Sequence, residues 1–171
     1  METTMLVVDA AVHATPDRPE KDISPAFGAG ACPKLVKEVQ SKQRAVRVNA
    51  LSVLCDEFCD PASVVGCVEC GVVEVLNAQA AGDPDPLTRQ RASAALRRCA
   101  RDATGKRAML ERGTAGAVRA ALDDDEGDVR EAVYEALITL STGAHRGVRA
   151  LVEAGYAGAL VGKAANRATQ G

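Results

Sequence analysis

One ten-residue pattern occurs three times in the chain, as CVECGVVEVL (67–76), MLERGTAGAV (109–118) and LVEAGYAGAL (151–160). Each copy contains a Glu-x-Gly triplet, and the three stretches align without a gap. Their glycines, Gly71, Gly113 and Gly155, are each separated by 42 residues. A repeat of roughly 40 to 47 residues is typical of solenoids that stack similar helical units. The pattern therefore predicts a repeat architecture.

The same offset aligns apolar residues upstream of each copy. It superposes Leu54 with Leu96 and Ile138, Val53 with Ala95 and Leu137, and Ala45 with Leu87 and Val129. From Gln43 to Phe58 the apolar residues recur at spacings of three and four, which indicates a long amphipathic helix. This register predicts that Leu96 lies in a core shared by two units.

Capping residues divide each unit into three helices. Asp60 supplies an N-cap and Pro61 a first helical residue for a short helix that ends at Gly71. Another helix begins at Val72, and the prolines of AGDPDP (81–86) end it before the next long helix. The second unit runs from Leu87 to about Leu122, the linker DDDEGD spans 123–128, and the third unit begins at Val129.

These features predict an all-α, armadillo/HEAT-like α-solenoid of about three and a half repeats over residues 31–171, preceded by an extended arm over 1–30. PKLVKEVQS (33–41) fits the last helix of a truncated leading unit. AGALVGKAAN (157–166) has little charge to serve as the polar cap that a solenoid end requires. We expect a partner, or a further copy of the chain, to cover that end.

Composition restricts the classes of function. The net charge of -2 argues against a dedicated nucleic-acid or anionic-membrane binder. No stretch reaches the roughly 18 apolar residues of a membrane helix, and the N-terminus lacks a secretory signal pattern, so we expect an intracellular, soluble protein. Neither His13 nor His145 belongs to a catalytic pattern. We expect no enzymatic activity, cofactor or small-molecule substrate.

The cysteines have two interpretations. Cys67 aligns with Met109 and Leu151, which indicates a buried apolar position, and the other cysteines do not repeat either. The alternative is a zinc site, because Cys67 and Cys70 have Cys-x-x-Cys spacing and could converge with Cys55 and Cys59. Cys32 and Cys99 have no visible partner in the sequence.

Basic residues are concentrated in the second unit, with Asp102 as the acidic residue among them. They are Arg89, Arg91, Arg97, Arg98, Arg101, Lys106 and Arg107. A solvated helix face is one interpretation. The other is a docking surface for an acidic or helical protein segment, with Arg89, Ser93, Arg97 and Arg101 forming one row on the long helix.

The segment 129–161 resembles an armadillo repeat, with a long helix followed by Arg-x-x-x-Val-Glu-x-Gly. In peptide-binding armadillo proteins the long helices display Trp and, four residues later, Asn. The Trp positions match Leu51, Ser93 and Glu135 here, and the Asn positions match Cys55, Arg97 and Thr139. These residues argue against a nuclear-signal clamp. On the same helices, the candidate protein-binding residues are Arg47, Leu51, Cys55, Arg89, Ser93, Arg97, Arg101, Glu131, Glu135 and Thr139.

A narrower resemblance covers residues 19–65. A Pro-x-Lys element, the pair Phe27-Gly28, a Leu-x-x-Glu-x-Gln-Ser helix end and an Ala-Leu-x-x-Leu-Cys-Asp run before Asp60-Pro61 resemble the radial-spoke armadillo protein family, also known as the rhabdoid tumour deletion region family. The resemblance implies a structural component of radial spokes in the axoneme of motile cilia or flagella, with other spoke proteins as partners. The alternative is a cytosolic armadillo adaptor that reversibly binds a helical or acidic peptide.

Overall fold

A computed structural model describes residues 31–143 and 145–168. Among them lie α1 (Ala31–Val39), α2 (Arg44–Glu57), α3 (Pro61–Glu69), α4 (Val72–Gly82), α5 (Pro86–Cys99), α6 (Ala103–Glu111), α7 (Thr114–Ala117), a 3₁₀ helix (Arg119–Asp123), α8 (Gly127–Ser141), α9 (His145–Glu153) and α10 (Tyr156–Ala168). The part of the chain that the structure describes contains no strand. The predicted arm over residues 1–30, with His13, lies outside the described residues.

The helices form a right-to-left series of repeated units, each consisting of two shorter segments and one long helix. The long helices α2, α5 and α8 pack side by side, and α4 packs against α5 in the same way that α1 packs against α2. A continuous apolar core runs between them, and Leu96 is only 1% exposed within it. The predicted all-α solenoid is confirmed.

Capping groups end the helices where the sequence predicts. The carboxylate of Asp60 accepts hydrogen bonds from the backbone N–H groups of Ala62 and Ser63, and Asp102 caps α6 in the same way. Asp85 caps α5 through the N–H of Thr88. Gly71, with φ of 79°, occupies the left-handed region that lets the chain turn between α3 and α4. Each unit is therefore bounded by local chemistry.

A glycine allows the short helix of a unit to approach the end of the preceding long helix. A Cβ at Gly105 would lie 2.2 Å from the carbonyl oxygen of Cys99, and a Cβ at Gly147 would lie 2.2 Å from that of Leu140. Any side chain at these positions would force the two helices apart. The same close contact thus recurs in the second and third units.

The third long helix does not follow the 42-residue register, and the alignment of Leu96 with Ile138 is wrong. Ile138 is 63% exposed, whereas Leu137 is buried. The buried positions of α5 recur in α8 after 41 residues, so that Leu96 corresponds to Leu137 and Cys99 to Leu140.

The physical reason for this shift lies in the preceding segment. The helix equivalent to α4 is divided in the second unit into α7 and a 3₁₀ helix. A 3₁₀ helix rises by about 2.0 Å per residue against about 1.5 Å in an α-helix, so fewer residues span the unit. The missing residue is recovered after α8, where Gly143 adopts a φ of 73° before α9 begins at His145.

Among the described residues, no single helix is long and apolar enough to cross a membrane. The pair α3 and α4 passes that test only when its two helices are taken together, and they are bent by 83° at the break between them. Apolar side chains of both helices, including Val64, Val72 and Leu76, are fully buried in the core of the solenoid.

Candidate protein-binding surface

An arginine at the start of each long helix holds the linker in front of it. The guanidinium Nη1 of Arg47 donates to the carbonyl oxygens of Ser41 and Lys42, at 3.0 and 3.2 Å. Arg89 bonds Asp83 and Pro84 in the same way, and Arg130 bonds Asp124 and Asp125. We call these three arginines the linker arginines. They fix the position of each long helix relative to the unit before it.

The first two linker arginines also bind a carboxylate from the next linker. Arg47 Nε lies 2.9 Å from Asp83 Oδ2, and Arg89 Nε lies 2.6 Å from Asp124 Oδ2. The Arg89 pair is bidentate, because Nη2 donates to Asp124 Oδ1 at 2.8 Å. The hydrogen bond from Arg89 lowers the pKa of Asp124 below its usual range. Each linker aspartate thus joins two successive units.

The structure removes several of the predicted docking residues from the surface. The side chains of Leu51 and Ser93 are buried in the core, at 0% and 1% exposure. Arg47 and Arg89 are linker arginines, engaged with Asp83 and Asp124. These four residues stabilise the solenoid, and their side chains do not form an exposed row on the long helices.

The remaining predicted residues lie on the surface or at its edge. Arg97 on α5 pairs with Glu135 on α8 at 2.9 Å, although the sequence showed no acidic partner for it. α5 ends at Cys99, so the exposed Arg101 follows the helix and does not extend its row. Glu131 is exposed, and Cys55 and Thr139 are half-buried. Arg97 and Glu135 therefore connect two units across the outer side of the long helices.

The corrected register changes which residues of α8 correspond to the surface of α5. The positions equivalent to Ser93 and Arg97 are Tyr134 and Ile138, not Glu135 and Thr139. Tyr134 is half-buried and packs against the core, while Ile138 is an exposed apolar side chain. Sequence comparison at a fixed period missed both, because the single-residue shift is visible only in the burial pattern.

The cysteines do not assemble into a metal site. Cys67 Sγ lies 2.7 Å from Cys32 Sγ, so Cys32 has a neighbour that the sequence did not reveal. Cys59 Sγ faces the carbonyl oxygen of Cys55, and Cys70 is exposed. No group of three or more His, Cys, Asp or Glu residues suited to a metal ion occurs within 31–143 and 145–168. The predicted convergence of Cys55, Cys59, Cys67 and Cys70 is therefore wrong.

A second surface feature is a basic cleft of about 500 Å³ between α6 and α9. Its rim carries Lys106, Arg107, Arg146 and Arg149, and its floor includes Leu110 and Ala150. Two carboxylates, Glu111 and Glu153, also line it, and Glu153 pairs with Arg149 at 2.7 Å. The cleft combines an apolar floor with an excess of positive charge.

Comparison with known proteins identifies the architecture. A computationally designed armadillo repeat protein for modular peptide recognition superposes with a TM-score of 0.66 and 22% identity, over 74% of this chain and 53% of the other. A designed armadillo repeat protein in complex with the peptide (KR)4 gives a TM-score of 0.68 and 20% identity, over 72–74% of the present chain's repeats. The chain is an armadillo-repeat solenoid.

A sequence relative supports the narrower resemblance. Radial spoke protein 14 of Chlamydomonas reinhardtii is 31% identical over 120 residues, which cover 70% of this chain. The chain spans 31% of the length of that relative. No protein-family model matches the chain. The resemblance to the radial-spoke armadillo family is confirmed at this level of identity.

Proposed function

We propose that the protein is a non-enzymatic structural component of the radial spoke, in the axoneme of motile cilia or flagella, and binds neighbouring spoke proteins through its solenoid surface. The observation that carries this proposal is the 31% identity with Radial spoke protein 14 across the repeats. The residues that are not needed for stacking, such as Arg101 and Glu131, leave a charged outer surface for such contacts.

The experiment that tests the proposal is a fractionation of motile cilia containing the tagged protein. After detergent removes the membrane, we expect the protein to stay with the axoneme through moderate salt. We also expect it to be lost from axonemes of cells that lack radial spokes. Full release into the soluble fraction, or equal retention without spokes, would contradict a role in the spoke.

Charge reversal can locate the contact surface in the same assay. Arg97→Glu with Arg101→Glu reverses two charges at the outer end of α5, and we expect normal helicity but weaker retention on the axoneme. The matched control is Lys42→Glu with Arg119→Glu, which changes the net charge equally at exposed positions elsewhere. Equal retention of both variants would exclude this end of α5 as a contact.

The basic cleft supports a second candidate function, that of a reversible adaptor for an acidic peptide. Lys106, Arg107, Arg146 and Arg149 could bind carboxylates while the apolar floor accommodates a helix face. A poly-glutamate peptide titrated into the purified protein would bind with strong salt dependence if this is correct. Release from axonemes together with tight peptide binding would favour the adaptor over the spoke component.

A further inference from the structure

The bonding pattern of the linker arginines is incomplete at the C-terminal end. Arg47 and Arg89 each bind two carbonyl oxygens behind them and one aspartate ahead of them. Arg130 makes the backward bonds, at 2.5 and 2.9 Å, but in the described part of the chain no carboxylate forms an ion pair with it. The pattern places that missing carboxylate in a following unit.

The sequence does not supply the carboxylate. Asp83 follows Arg47 by 36 residues, and Asp124 follows Arg89 by 35. The corresponding positions after Arg130 are Ala165 and Asn166, and no Asp or Glu occurs after Glu153 in the sequence. The partner of Arg130 must therefore come from a segment with a different linker.

Apolar residues around the same end are exposed where their equivalents are buried. Val152 and Leu160 are 58% and 47% exposed, whereas Val68 and Leu76, at the same positions of the first unit, are 9% and 0% exposed. In the first unit these side chains face a following unit, because α3 packs against α6, and α4 packs against α5 and α7. The end thus presents a core surface without its following unit.

We infer that this end, formed by Arg130, Val148, Val152, Leu160 and Val161, is a docking surface for a helical repeat unit of another protein whose linker places an aspartate against Arg130. A second copy of this chain is a poor match, because the linker before its first long helix reads Ser41-Lys42-Gln43 and brings a positive charge. The inference deepens the proposed function, since it states the chemistry of one neighbour.

The aspartate requirement can be tested in a full-length chain with one duplicated unit. A copy of residues 123–164 inserted between residues 164 and 165 places the copied Asp124 36 residues after Arg130, the spacing of Arg47 and Asp83. We expect Arg130→Gln, and Asn in place of the copied Asp124, each to lower the melting temperature by about 3 °C or more. The double variant should be no worse than the more harmful single change.

The matched control is Asn in place of the copied Asp125, because Asp125 itself is exposed. We expect that change to alter the melting temperature by less than about 1 °C. Additive effects of the Arg130 and Asp124 changes, or an equal effect of the control, would overturn the assignment of an aspartate to Arg130. This test does not depend on the cilium, so its failure is distinct from failure of the proposed function.

The source of the partner can be tested with a benzophenone amino acid in place of Val152 in the full-length protein. In axonemes that retain the protein, we expect illumination to join it to a helical repeat segment of a different protein, and Arg130→Glu to reduce the adduct at least tenfold. Adducts to another copy of this chain, to a non-helical segment or to nothing would overturn the inference while leaving axonemal retention intact.

Discussion

The junction between the second and third units and the C-terminal end of the solenoid present the same chemistry in two states. At the junction, Arg89 binds Asp124 from the next linker and Val118 is buried. At the end, Arg130 lacks such a carboxylate among the described residues, and Leu160, which aligns with Val118, is half-exposed. The comparison shows that an armadillo unit completes its core and its ion pairs only when another unit follows.

The largest expected effect breaks the closed core. Leu96→Asp places a charge at a fully buried position between two units, and we expect it to lower the free energy of unfolding by at least about 4 kcal/mol. Its control is Ile138→Asp, at the position that fixed-period alignment equates with Leu96 but that is exposed. Urea denaturation should show little change for the control. Similar losses in both variants would contradict the 41-residue register.

A cavity in the closed region should matter more than the same change at the open end. Leu76→Ala removes a fully buried side chain, and we expect a loss of about 3 kcal/mol. Leu160→Ala changes a half-exposed side chain at the equivalent position, so we expect a loss below about 1 kcal/mol. Thermal unfolding of the two variants measures the difference. Equal losses would mean that the end is already covered in the isolated protein.

The ion pair at the junction should contribute more than an exposed pair. Arg89→Gln leaves Asp124 without its bidentate partner, and the side chains of the pair are only 16% and 8% exposed. We expect a loss of about 2 to 3 kcal/mol. Arg44→Gln breaks the pair with Asp85, but Arg44 is 60% exposed, so the loss should be below about 1 kcal/mol. The reverse order in urea denaturation would contradict the role of the linker arginines.

The smallest expected effect is a dependence on acid pH. Because the hydrogen bond from Arg89 lowers the pKa of Asp124, the carboxylate adds stability above its unfolded pKa of about 3.9 and loses it as the pH falls through the lower folded value. Between pH 5 and pH 3, Asp124→Asn should therefore show a smaller decline of stability than the parent protein. Asp125→Asn should decline as the parent does, and an indistinguishable slope for all three proteins would exclude this contribution.

Much of the fold could be predicted because its determinants are local. The N-caps at Asp60, Asp85 and Asp102 and the turn at Gly71 act on neighbouring residues, so the sequence alone marks the ends of the helices. Leu96 is buried as its helical periodicity predicts. The same reasoning fails at Ile138, because the length of a 3₁₀ segment many residues earlier sets the rotation of α8.

The candidate surface could be predicted only in part, because its chemistry depends on contacts between units. Nothing local in the sequence shows that Arg97 meets Glu135, that Arg89 binds Asp124, or that Cys67 faces Cys32. These pairs are 35 to 38 residues apart and meet only when the units stack. By itself, the sequence determined the repeat, the helices and the absence of an aspartate after Arg130. The tertiary structure alone decided which arginines face solvent and which end of the solenoid lacks a neighbour.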